Sequence, residues 1–85
     1  MIRLTLYSRP GCHLCEEMKA ILDRVRADHP FELREVNISG DSELERRYWT
    51  EIPVLEIDGK KVAKYRIDEG MLRRAIQVRS SKYEG

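Results

Sequence analysis

Residues 7–15 read Tyr7-Ser8-Arg9-Pro10-Gly11-Cys12-His13-Leu14-Cys15 and hold the chain's only two cysteines, in a C-x-x-C spacing. Upstream, Ile2, Leu4 and Leu6 alternate with Arg3, Thr5 and Tyr7, the period-two pattern of a strand, and Ser8-Arg9-Pro10-Gly11 supplies the turn that ends it. Downstream, Leu14, Met18, Ile21, Leu22 and Val25 form the apolar stripe of an amphipathic helix, with Glu16, Glu17, Lys19, Asp23, Arg24 and Arg26 on the other face. Both cysteines therefore fall where a strand hands over to a helix.

That position has chemical consequences. First-turn N–H groups lack intrahelical partners, and the helix dipole places partial positive charge beside them, so a thiolate at Cys12 is favoured. Free cysteine titrates near about 8.5, and helix N-termini or C-x-x-C motifs bring it to roughly 3.5–7.5. A drop of about two units needs roughly 2.7 kcal/mol, of which the dipole gives about 0.3–2. Arg9 and a protonated His13 add to it as thiolate-tuning groups, whereas Glu16 and Glu17 oppose it. A moderately lowered Cys12 pKa is the expectation.

Eighty-five residues make one domain with one small core, assigned here to residues 1–79, with a polar tail over 80–85. Sixteen basic and fifteen acidic residues nearly cancel and are interspersed, which argues against a dedicated nucleic-acid or membrane-surface role. Neither a signal-peptide apolar run nor a long apolar span is present, so a soluble, cytoplasmic monomer is expected. In a reducing compartment two cysteines point to chemistry or metal rather than to a structural staple.

The remaining chain continues the alternation of elements. Asp28-His29-Pro30 ends the first helix. Residues 31–38 form a second strand whose alternation fails between Leu33 and Val36, the mark of a bulge or an early end. Ser39-Gly40-Asp41-Ser42 offers a turn and cap for a short helix with Leu44 and Tyr48 inward. Residues 50–57 form a third strand with Pro53 at its first position, and Asp58-Gly59 joins it by a hairpin to residues 60–65. Asp68 caps a last helix carrying Met71, Leu72, Ala75 and Ile76. The order is βαβαββα. Helices between the first three strands imply right-handed crossovers and hence three parallel strands, completed by one antiparallel hairpin.

A C-x-x-C opening the first helix of such a unit resembles the thioredoxin fold. Residues 7–15 are similar to the glutaredoxin active-site stretch Tyr-Ser-Lys-x-x-Cys-Pro-Tyr-Cys, with Arg9 at the lysine and Cys12 and Cys15 at the two cysteines. Ile52-Pro53-Val54 is similar to the family's x-Pro-x segment, whose proline is cis and lies beside the disulfide. The resemblance implies an α/β thioredoxin-like fold with a four-stranded mixed sheet and three helices. It also implies a thiol–disulfide oxidoreductase with Cys12 as nucleophile and Cys15 as resolving thiol. Ile52, Pro53 and Trp49 would line the substrate groove. The implied partners are protein or small-molecule disulfides and an external reductant, glutathione or a thioredoxin reductase-type system. No cofactor is permanently bound; glutathione would enter as co-substrate. Two departures stand out. His13-Leu14 replaces Pro-Tyr, and Ala63-Lys64 stands where the family has the Gly-Gly of its glutathione site, with a longer connection to Asp68.

Metal binding is the rival class. Structural zinc normally uses a second spaced ligand pair, which is missing; His13 and His29 have simpler readings as polar surface residues. Soft-metal chaperone domains also place C-x-x-C between a first strand and helix, but in the order βαββαβ. A glutaredoxin-like scaffold could also hold an iron–sulfur cluster between two chains through Cys12.

Overall fold

The computed structural model describes the backbone of residues 2–84 and the side chains of residues 2–79. The chain runs β1 (Arg3–Ser8), α1 (His13–Asp28), β2 (Glu32–Asn37), α2 (Ser42–Tyr48), β3 (Val54–Ile57), β4 (Lys60–Lys64) and α3 (Glu69–Glu84). The βαβαββα order is therefore the observed one, and the strands form a four-stranded mixed sheet in the order β2-β1-β3-β4. No described helix is long and apolar enough to cross a membrane.

Leu4 and Leu6 of β1 and Leu55 and Ile57 of β3 bury their side chains against Met18, Leu22 and Val25 of α1 and Leu72 and Ile76 of α3. Each such side chain contributes roughly 1.5–3 kcal/mol by leaving water. The buried stripe of α1 is Cys15, Met18, Leu22 and Val25, so Cys15 takes the place that periodicity gave to Leu14, which is only half-buried. Met71 of α3 is 51% exposed and lies outside the core expected for it.

One expectation fails. β1 and β2 are parallel, but β3 runs antiparallel to β1, with Tyr7 opposite Val54 and Leu4 opposite Ile57. The reason is length. A strand of six residues spans about 20 Å, whereas the seven residues of α2 rise about 10 Å. Such a helix cannot carry the chain back along the sheet, so β3 enters from the end at which β1 and β2 leave. That reversal is what brings residues 52–54 beside the cysteines.

β2 pairs with β1 in continuous register, without the expected bulge. Its alternation fails because both sheet faces receive apolar neighbours: Leu33 packs on the main core, while Val36 shares a groove with Leu44 of α2. The bulge lies instead between β3 and β4, at Leu55/Glu56. Asp58 and Gly59 adopt φ of +49° and +86°, as a two-residue hairpin turn of this kind requires. Pro53 precedes β3 rather than opening it. α3 is capped by Asp68, whose carboxylate accepts the Met71 N–H at 3.0 Å. Its backbone remains helical to Glu84, through the stretch assigned to a polar tail, since no glycine or proline interrupts residues 71–84. The side chains of that stretch and all of Gly85 lie outside the described residues.

Candidate functional site

The site begins with the turn between β1 and α1. Gly11 takes φ of +77°, a conformation glycine adopts without penalty, and so delivers the chain to Cys12 in extended geometry. Cys12 is the N-cap of α1: its sulfur accepts the Cys15 N–H at 3.2 Å, and its carbonyl accepts the Glu16 N–H at 3.2 Å. Cys12 and Cys15 are joined as a disulfide, with Cα atoms 5.2 Å apart. The two sulfurs are not equivalent. Cys12 is half-exposed, while Cys15 is buried at 5% exposure.

Charge around the pair is uneven. Arg9 is exposed and makes no ion pair among the described residues. His13 turns its ring to Glu17, one turn along, at 3.4 Å. Two of the expected tuning groups thus differ: Arg9 is free to act on an anion, and the charge of a protonated His13 is shared with a carboxylate.

The opposite wall comes from α2 and β3. Cys15 belongs to a buried cluster with Ile38, Tyr48, Ile52 and Val54, against which Tyr7, Cys12 and Leu44 pack. The Ile52–Pro53 bond is cis. The Ile52 N–H donates to the Tyr48 carbonyl at 3.0 Å, so that donor is already engaged within the chain. Behind this wall the rings of Tyr7 and Tyr48 stack with centroids 4.6 Å apart, and both hydroxyls reach the Glu56 carboxylate, at 3.4 and 3.5 Å. Burial, and then the charge of Glu56, push the Tyr7 phenol above its ordinary 10.0.

Tyr65 ends the strand expected over residues 60–65 and in the structure directly follows β4. It is 42% exposed, yet its N–H donates to the Pro53 carbonyl and its hydroxyl to the Thr50 carbonyl, both at 2.9 Å. Its φ of +67° is rare for a bulky side chain and costs about 1–3 kcal/mol. It pins the segment that faces the cysteines. Its sequence signal is slight: it directly follows Ala63-Lys64, the pair that stands where the family has its Gly-Gly.

Trp49, the C-cap of α2, is 58% exposed and lines a cavity of about 390 Å³ with Arg9, Ile38, Ser39, Ser42, Glu45 and Arg46. Arg46 thus lines the same cavity as Arg9 and Trp49. Among the described residues no three His, Cys, Asp or Glu side chains converge in a way that could hold a metal ion. α3 also occupies the position where the soft-metal chaperone order requires a strand.

Residues 3–77 match the model of the glutaredoxin-like domain (DUF836) family. The chain is 37% identical over 79 residues to the glutaredoxin-like protein YDR286C homolog of Dictyostelium discoideum, covering 84% of this chain and 71% of that protein. Among solved structures it is similar to protein Ne2328 of Nitrosomonas europaea, with TM-score 0.75, 37% identity and coverage of 87% and 89% of the two chains. It is likewise similar to target protein XcR50 of X. campestris, with TM-score 0.76, 32% identity and coverage of 88% and 96%. Thioredoxin 1 of Thermosipho africanus shares the fold at TM-score 0.70 with 7% identity, over 98% and 99% of the two chains.

Proposed function

Because the chain belongs to the glutaredoxin-like domain family and has a thioredoxin fold, we propose that it is a dithiol–disulfide oxidoreductase in which Cys12 attacks and Cys15 resolves. The observation that carries this reading is the asymmetry of the pair: a half-exposed sulfur at a helix N-cap, within hydrogen-bond range of an N–H, next to a buried partner.

In the reduced protein the Cys12 thiolate sits at the positive end of α1 and keeps the Cys15 N–H as donor. It attacks one sulfur of a substrate disulfide; a Cys12–substrate bond forms, and the other sulfur leaves as a thiolate and takes a proton from solvent. Cys15, deprotonated, then attacks the Cys12 sulfur, the Cys12–Cys15 bond forms, and the second substrate thiol departs. Two electrons pass from the dithiol to the substrate, and an external thiol, glutathione or a reductase-coupled carrier, returns them. Arg9 supports the Cys12 thiolate, Glu16 opposes it, and His13 adds little while it faces Glu17.

Substrate lies along Ile52 and Pro53, and the cavity that Arg9 shares with Trp49 and Arg46 gives it a second contact surface. The Ile52 carbonyl offers one strand-like hydrogen bond. Trp49 gives a flat apolar floor, and Arg9 and Arg46 two cations, which suits disulfides carrying an anionic group. The test is a pair of variants. Cys15→Ser should accumulate a stable mixed disulfide on Cys12, detected by mass, and Cys12→Ser should lose exchange altogether. Turnover by Cys12→Ser equal to that of the unaltered protein overturns the reading.

A further inference from the structure

Cys15 presents a problem that the exchange cycle must solve. Burial disfavours its thiolate, yet the second half of the cycle needs that thiolate. A cavity of about 310 Å³ opens onto it between α1 and β2, lined by both cysteines, Leu6, Glu16, Lys19, Glu35 and Asn37. Lys19 follows Cys15 by one turn of α1, so their Cβ atoms are about 5–6 Å apart, and its ammonium pairs with Glu35 of β2. Both partners are a little under half exposed, at 44% and 43%.

The other charged or titratable groups around Cys15 are few. Glu16 on α1 and Arg9 on the preceding turn also line the cavity; the phenols of Tyr7 and Tyr48 approach from the opposite side, where the remaining neighbours, Ile38, Ile52 and Val54, are apolar. Lys19 itself has Asp23 one turn further along, and its pairing with Glu35 raises its pKa, so it stays charged wherever thiols exchange. Lys19 is thus the one cation on α1 that shares a cavity with the Cys15 sulfur, and Glu35 is the anion that competes for it.

We propose that Lys19 is a positioning residue for the resolving step: its ammonium stabilises the Cys15 thiolate as that sulfur attacks Cys12, and Glu35 limits how much of this charge Cys15 receives. The proposal rests on the exchange reading above. In the step concerned, the Cys15 proton leaves to water in the cavity, the Cys15–Cys12 bond forms and the Cys12–substrate bond breaks; no further oxidant is required.

An opposite charge within about 4–6 Å shifts a pKa by about 1–3 units, and the partial exposure of Lys19 and its pairing with Glu35 put the effect on Cys15 at the low end, about one unit. Removing the charge therefore leaves about tenfold less thiolate below the pKa. Each thiolate becomes about threefold more nucleophilic, because reactivity rises with roughly half of the pKa change. The net expectation is a resolving step about threefold slower at neutral pH and about threefold faster at high pH, with the two profiles crossing.

The experiment is stopped-flow reaction of the reduced full chain with 4,4′-dithiodipyridine, an uncharged disulfide. The first thiopyridone reports attack by Cys12 and depends on probe concentration; the second reports resolution by Cys15 and does not. Lys19→Gln should raise the apparent pKa of the second phase by about one unit, Lys19→Arg should restore it, and Glu35→Gln should lower it, with the first phase within about twofold throughout. Both neutralising variants break the same ion pair, so a purely structural role moves them together. A shift in the same direction for both, or no shift, overturns the proposal. If Lys19→Gln does not fold, the downward shift in Glu35→Gln decides alone. If the unaltered protein releases no second thiopyridone, it is the exchange reading that fails.

Discussion

The N-cap position of Cys12 gives its sulfur a second task that can be separated from chemistry. It accepts the Cys15 N–H at 3.2 Å and thereby satisfies one of the open donors at the start of α1. Cys12→Ser retains an acceptor there, and Cys12→Ala does not. Neither variant can form the internal disulfide, so the comparison is free of redox state. Loss of a capping acceptor costs about 1 kcal/mol. The entropy of unfolding is about 2.1 cal/mol/K per residue, which for this chain makes that cost worth roughly 5 °C in melting temperature. Thermal unfolding of both variants, followed by helical circular dichroism under the same reducing buffer, should therefore place Cys12→Ser about 5 °C above Cys12→Ala. Exchange should be absent from both. Equal melting temperatures would refute the capping role; exchange retained in the serine variant would refute Cys12 as the attacking sulfur.

Other consequences can be measured independently. Trp49→Ala removes a ring that is 58% exposed, so stability should stay within about 0.5 kcal/mol while the KM for an anionic small-molecule disulfide rises; an unchanged KM excludes Trp49 from the groove. Tyr65→Phe deletes the hydroxyl that donates to the Thr50 carbonyl and should cost about 0.5–1.5 kcal/mol in urea unfolding, with no loss meaning that the contact does not hold residues 50–53. The hydrogen bond from Arg24, then that from Arg73, holds the Glu69 carboxyl below its ordinary 4.5. A depressed folded pKa gives stability that is present above the unfolded value and lost as pH falls through the folded one. The urea midpoint should thus fall more steeply below about pH 4.5 in the unaltered protein than in Glu69→Gln, and superimposable acid limbs would refute this linkage.

What the residue pattern reveals here is what is local. The C-x-x-C at a strand–helix junction, the caps Asp41 and Asp68 and the Asp58-Gly59 hairpin each depend on neighbours within a few positions, and each stands in the structure where the pattern puts it. The direction of β3 does not depend on neighbours. It follows from the reach of α2 compared with the length of β2, a comparison that needs element boundaries rather than residue types. The same holds for Tyr65 and for the Lys19–Glu35 pair, which meet their partners across 12 or more positions of chain. In the candidate site, Cys12, Cys15 and Ile52 share one cluster and Arg9 shares a cavity with Trp49, whereas His13 meets Glu17. Rotamers on an exposed first turn carry no sequence signature.

The reversed entry of β3 also divides the candidate site between two parts of the chain. The turn and helix that carry both thiols are complete by residue 28, but the wall that covers them, residues 48–54, comes later and is fastened by Tyr65 later still. Loosening over residues 48–65 would uncover Cys15, which packs against Tyr48, Ile52 and Val54, and would strip β1 of its pairing with β3. The burial that distinguishes Cys15 from Cys12 therefore depends on the second half of the chain, and a change there alters the pair while the motif itself is untouched.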